Sequence, residues 1–119
     1  MGARVNFVFK QGDGLATVLY SHWGEYSWAE DLAGALFHAK PRKGDTSYYI
    51  RNAISYLIKD NVLDETGFGI YAVKEDDMMF GDMAIIIDLA NDSVVDDSGS
   101  HSIDSFIDSK FKIDFWLEF

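Results

Sequence analysis

The sequence contains no cysteine, so disulfides, thiolate metal sites and cysteine nucleophiles are excluded from the outset. It has one proline, Pro41, and no low-complexity tract, internal repeat or linker that would mark a second domain. No apolar run approaches the roughly 18 residues that a membrane span requires. Residues 1–6 lack a charged leader followed by an apolar stretch, so a cytosolic protein is expected. Gly2 stands where a myristoylation signal has its glycine, but Asn6 occupies the position where that signal wants Ser or Thr. The sharpest shortage is positive charge. From Asp60 to Asp108 thirteen acidic side chains face one base, Lys74, a local net of −12, whereas residues 1–59 carry seven bases and five acids.

What is present is apolar and aromatic. A 48% apolar fraction with 15% aromatics supplies enough buried area to fold a 119-residue chain despite its net charge of −10. At that length one acidic domain, 1–119, is expected, with a radius of gyration of roughly 13 to 14 Å.

Residues 4–10 alternate Val5, Phe7 and Phe9 with polar neighbours, the pattern of a strand with one face on a core. Gln11-Gly12-Asp13-Gly14 is turn chemistry, and residues 15–22 read as the second strand of a hairpin. Ser27 and Glu30 form a capping-box pattern before a helix whose apolar positions are Trp28, Leu32, Ala35, Leu36 and Ala39, and Pro41 ends it. Asp45 or Thr46 starts a second helix to about residue 59, with Tyr49, Ile50, Ala53, Ile54, Leu57 and Ile58 as its stripe.

Residues 68–73 read as a strand, residues 74–82 as an acidic loop, and residues 83–89 as a continuous apolar strand belonging in the middle of a sheet. Val94-Val95 is a short returning strand, residues 96–100 a solvated loop, and Ser102 caps a short helix carrying Ile103, Phe106 and Ile107. The clearest alternation closes the chain: Phe111, Ile113, Phe115, Leu117 and Phe119 on one face, with Trp116 on the other as a candidate dimer or partner contact. The expected fold is α+β in the order β-β-α-α-β-β-α-β, a largely antiparallel sheet with helices on one face.

No catalytic motif stands out. The Gly-x-x-x-x-Gly-Lys-Ser/Thr, Gly-x-Gly-x-x-Gly and Gly-x-Ser-x-Gly patterns are all missing, which removes the usual nucleotide-binding and hydrolase readings. His22, Trp23 and Glu25, between a strand end and a helix start, are the candidate enzyme or ligand site, since a histidine and a carboxylate there could act as a base with an orienting partner. The competing reading is that the aromatics cover the helix start and His22 is hydrogen-bonded among them. His22, His38 and His101 show no zinc-ligand spacing, and the aspartates from Asp88 to Asp97 miss the calcium-loop pattern, so no metal or cofactor is expected. Met78, Met79 and Phe80 are either exposed anchors for a partner or part of the core.

The acidic half has two main readings. One is a solvated face that maintains solubility. The other is a partner-binding surface made of Glu75, Asp76, Asp77, Asp82, Asp92, Asp96 and Asp97, with carboxylates about 6 to 7 Å apart along a strand face offering a field comparable to phosphates. Salt-adapted chains spread their acids everywhere, unlike this one. Direct nucleic-acid binding is disfavoured, because the net charge repels phosphate. If Asp92, Asp96 and Asp97 sit in a solvated loop, replacing them with Asn should relieve repulsion and leave stability intact.

At Val5-Asn6-Phe7-Val8-Phe9, Val18-Leu19-Tyr20-Ser21-His22-Trp23-Gly24, Asp31-Leu32-Ala33-Gly34-Ala35-Leu36, Ile54-Ser55-Tyr56-Leu57 and Leu63-Asp64-Glu65-Thr66-Gly67-Phe68-Gly69-Ile70-Tyr71, the chain resembles small uncharacterised proteins encoded by bacteriophages and prophages. The likeness spans residues 5–71 as overall pattern and carries over no catalytic or binding residue. It implies a setting, the cytoplasm of a host cell, and a mode of action for a short viral protein: binding and inhibiting a host protein. The acidic surface adds an anti-defence reading, a nucleic-acid mimic bound by the basic surface of a CRISPR or restriction complex. A virion or assembly component, which would self-associate, is the further alternative.

Overall fold

The computed structural model describes residues 4–22, 27–80 and 83–110. Strands β1 (Val5–Lys10) and β2 (Leu15–Ser21) form a hairpin, followed by helix α1 (Trp28–Ala39), a 3-10 turn at Lys40–Arg42 and helix α2 (Thr46–Leu57). Strand β3 (Phe68–Lys74), a second 3-10 turn at Glu75–Asp77, strands β4 (Met83–Asp88), β5 (Ser93–Asp96) and β6 (Gly99–Ser102), and helix α3 (Ile103–Lys110) complete the described chain. The radius of gyration is 13.9 Å.

The six strands form one sheet in the order β3-β2-β1-β4-β5-β6. Four neighbouring pairs are antiparallel, but the central pair, β1 with β4, is parallel, matching Val5 to Met83 and Lys10 to Asp88. The sheet is therefore mixed: the largely antiparallel expectation holds for four of the five pairs and fails at the centre. Its cause is the route of the chain. Because β1 and β3 both oppose β2, β3 and β4 run the same way, and the chain has to cross β2 and β1 between them. The described part of that crossing lays Met78 and Phe80 against a cluster of Val8, Ala16 and Val18 that Ile86 also joins.

Those four residues alternate with the sheet positions that face the helices. On the helix side, Val5, Phe7, Phe9, Leu19, Ile85, Ile87 and Val94 join Leu32, Leu36, Ile50, Ile54, Phe106 and Ile107 in the main core. All three helices thus lie on one face, as expected. The β1 strand is not one-sided: Val5 to Phe9 are all buried, and Asn6 is accommodated by donating from Nδ2 to the Met83 carbonyl at 3.3 Å.

The helix caps follow two different rules. Asp45 caps α2 by accepting from the Tyr48 amide at 3.5 Å, and Ser102 Oγ accepts from the Ser105 amide at the start of α3. The Ser27–Glu30 capping box is not formed; Ser27 Oγ instead donates to Asp31 at 3.0 Å. The hairpin of β5 and β6 replaces the expected solvated loop at residues 96–100, and the expected strand at 111–119 lies outside the described residues. The hairpin is held by Asp96, which accepts from the Ser98 amide and hydroxyl at 2.8 and 2.6 Å, while Gly99 takes a φ of +127°.

One close approach has a measurable consequence. A Cβ placed on Gly34 of α1 would lie 2.5 Å from the Tyr56 hydroxyl and 2.7 Å from its ring. Tyr56 is itself engaged, with Lys59 Nζ 4.1 Å from its ring centre and the His38 ring 5.8 Å away. Gly→Ala in an unobstructed helix gains about 1 kcal/mol. Here Gly34→Ala should instead destabilise by about 1 to 2 kcal/mol, because the ring must leave its contacts. In a Tyr56→Ala background the same change should stabilise, and denaturant titration of the four proteins reads the reversal. A Gly34→Ala protein more stable than wild type would show that Tyr56 yields freely.

Candidate functional site

The strand register gathers charge at one end of the sheet, where Lys10, Lys74 and Asp88 end their strands. The Glu75 amide donates to the Gly14 carbonyl at 2.9 Å, bringing the start of the acidic turn beside the β1–β2 turn. Lys10 Nζ then lies 3.4 Å from Glu75 and 3.7 Å from Asp88. Burial pushes the Asp88 carboxyl up, but hydrogen bonds from the Asn91 side chain and amide, the Lys10 charge and the Ala90 amide outweigh it and hold it below the usual aspartate range.

Asp92 and Asp96 are similarly committed. Asp92, at a φ of +54°, pairs with Lys43 at 2.7 Å, and its carbonyl accepts from the Ile103 amide that opens α3. Beside it, the Tyr49 hydroxyl is buried without a hydrogen-bond partner among the described residues. Burial first, then Asp92 and Asp104, push that hydroxyl well above the ordinary tyrosine range, so it stays protonated. For Asp96, burial is outweighed by the two Ser98 hydrogen bonds and by His101, whose Nε2 lies 3.5 Å away, so its carboxyl also sits low.

The seven acidic residues picked out from sequence therefore divide by role. Glu75, Asp92 and Asp96 have internal partners that brace turns and pin segments distant in sequence. Asp76, Asp77 and Asp97 are exposed and make no ion pair among the described residues. Asp82 lies outside the described residues. The expectation that Asp92, Asp96 and Asp97 sit together in a solvated loop is corrected accordingly: Asn at 92 would give up the Lys43 ion pair, Asn at 96 would disturb the carboxylate that holds Ser98 and faces His101, and only Asp97 is expendable. Lys10 and Lys43, which organise these acids, were not singled out in the sequence; the one signal was Lys10 closing an apolar strand.

At the alternative site, His22 is exposed, its amide donates to the Gly67 carbonyl at 3.0 Å, and its ring meets Tyr20 edge-on at 5.1 Å. Trp23 and Glu25 lie outside the described residues. A cavity of about 240 Å³ at the start of α1 is lined by Ser21, Ser27, Asp31, Tyr56, Lys59 and neighbours, and His22 is not among them. Among the described residues no group of three His, Asp or Glu side chains is placed to hold a metal ion, and no helix is long and apolar enough to cross a membrane.

The sheet's two edges differ. The β6 edge is four small polar residues, Gly99-Ser100-His101-Ser102. The β3 edge is seven residues long and largely apolar, with Ile70 59% and Tyr71 45% exposed. Exposed acids stand near both ends of β3 in sequence: Asp64 and Glu65 before it, Asp76 and Asp77 after it. Comparison with known proteins finds no matching family model, no matching curated protein and no matching solved structure.

Proposed function

We propose that this domain acts by binding another protein that presents a basic surface, and that it carries out no catalysis of its own. One observation carries the reading. Within the acidic region, Asp76, Asp77 and Asp97 are left exposed without an ion pair among the described residues, while their neighbours Glu75 and Asp96 are tied into the fold. Carboxylates that brace turns are accounted for by stability; carboxylates held at the surface, two of them followed in sequence by an exposed Met79, are available to a partner. In the bacteriophage setting that the resemblance implies, the partner is a host protein in the cytoplasm. Nucleic-acid-binding defence complexes are the class whose positive surface suits it best, with binding and possession of that surface amounting to inhibition.

The test uses Asp76→Asn, Asp77→Asn and Asp97→Asn together, which spares every internal pair. Partner captured from nuclease-treated host lysate should bind the triple variant about tenfold more weakly, chiefly through slower association, and wild-type binding should weaken as salt rises from about 50 to about 300 mM. Stability should be unchanged. Binding that ignores both the substitutions and the salt would reduce these residues to a solvated face.

A further inference from the structure

We propose that the edge of β3, unpaired among the described residues, is a strand-addition site, taking an extended segment of a partner protein with an apolar middle and Lys or Arg at its ends. The inference rests on the protein-binding reading above and names its surface. An edge strand exposes a row of amides and carbonyls that can template another strand, and sheets normally blunt such edges with charge, proline or brevity. The β6 edge is blunted by being short and polar. The β3 edge is not: residues 68–73 contain no charge and no proline, and Lys74 is its only charged side chain. Its seven residues span roughly 23 Å, enough to pair with a strand of similar length. Ile70 and Ala72 lie on the helix side of the sheet and Tyr71 on the other, and all three are exposed, so an added strand would find apolar neighbours on both faces.

Charge selects among occupants. A second copy pairing antiparallel through β3 would set the Asp64–Glu65 end of one copy against the Asp76–Asp77 end of the other, carboxylates against carboxylates. A strand with basic ends brings opposite charge to the acids that precede and follow β3 in sequence, where Asp76 and Asp77 outnumber the exposed Lys74 two to one. A neutral strand would gain the backbone bonds but nothing from the acids.

The probe is a pair of synthetic peptides of about nine residues, alternating valine and threonine, one ending in lysines and the other in glutamates. With the full chain, the lysine-ended peptide should bind about tenfold more tightly at low salt, an advantage that shrinks toward about 300 mM. Hydrogen exchange should show the outward-pointing amides among residues 70–73, those not bonded to β2, exchanging fast in the free protein and slowing on binding. The paired substitution Ile70→Lys with Ala72→Lys, at exposed positions, should remove that binding and leave the fold intact. Tyr71→Pro and Ala72→Pro give an independent check, since only one of these neighbouring amides points out from the sheet. The proline variant that stays folded should lose the peptide.

Several results would overturn the inference. Outward-pointing amides of 70–73 that are protected in the free protein at every concentration would mean the chain covers its own edge. Protection that grows with protein concentration would assign the edge to a second copy. Peptide binding that survives the lysine pair would place the site elsewhere. This inference fails separately from the parent reading: if host-partner binding is lost in the Asn triple variant but kept in the Ile70→Lys, Ala72→Lys protein, the acidic surface stands and the edge does not. Equal binding of the two peptides keeps an open edge but removes its basic partner, and with it this proposal.

Discussion

Phe9→Ala is expected to cost about 3 to 5 kcal/mol, the range for removing a buried phenylalanine without full collapse of the space it leaves. Phe9 has no exposed surface. It sits on β1, which is flanked by β2 and β4, and its register partners Thr17 and Ile87 fix its backbone on both sides. Its ring belongs to the core that Leu32 and Leu36 of α1 and Phe106 of α3 close from above. Backbone movement that could fill the cavity would have to bend the two central strands together. A domain of this size has about 5 to 15 kcal/mol in hand, so the variant should lose about a fifth or more of its stability in a denaturant titration. Phe37→Ala provides the contrast. Its side chain is 44% exposed on α1, and the same truncation should cost about 1 kcal/mol or less. Equal losses for the two would mean that the helix layer does not seal the sheet.

Local periodicity accounts for what could be read directly from sequence. Val5, Phe7 and Phe9 at period two, Leu32, Ala35, Leu36 and Ala39 at helical spacing, and the unbroken Ala84-Ile85-Ile86-Ile87 all declare their elements, because burial acts on residues close together in the chain. The β4 run even declared its central place. What stayed hidden depends on partners far apart. The direction of β4 is fixed by a crossing over β2 and β1, and no pattern within β4 records it. The β6 strand, Gly-Ser-His-Ser, has no apolar alternation and forms because Asp96 shapes the turn before it.

The candidate surface shows the same division. Residues 68–73 read as a strand, but an edge strand and a central one look alike until their neighbours are known. The acids from Glu75 to Asp77 are consecutive and chemically almost equivalent. Only the geometry of the turn, with Glu75 held at Gly14 and turned toward Lys10, separates a structural carboxylate from two free ones.

That separation makes Lys10 the most consequential charge in the described structure, and Lys10→Met should cost about 2 to 3 kcal/mol at neutral pH. Methionine keeps most of the aliphatic stem, so the loss isolates the charge. Glu75 and Asp88 would then face each other across a site where the three side chains are only 13 to 28% exposed. Breaking a fully buried pair costs about 3 to 5 kcal/mol and an exposed pair about 1 kcal/mol or less, and this site lies between. The pH dependence tests the assignment. Asp88 titrates lower in the folded protein than in the unfolded chain, so its contribution is complete above the ordinary aspartate value of about 4 and is lost as pH falls through the folded value. Removing Lys10 removes one cause of that depression while the Asn91 hydrogen bonds remain. The variant should therefore lose less stability than wild type on acidification, and the gap between them should be widest near pH 7 and narrow below about pH 4. Adding Asp88→Asn should recover part of the loss at neutral pH, because only one uncompensated carboxylate is left. A gap of constant size from about pH 3 to pH 7 would assign the cost to packing of the lysine stem, and Glu75 and Asp88 would then owe nothing to Lys10.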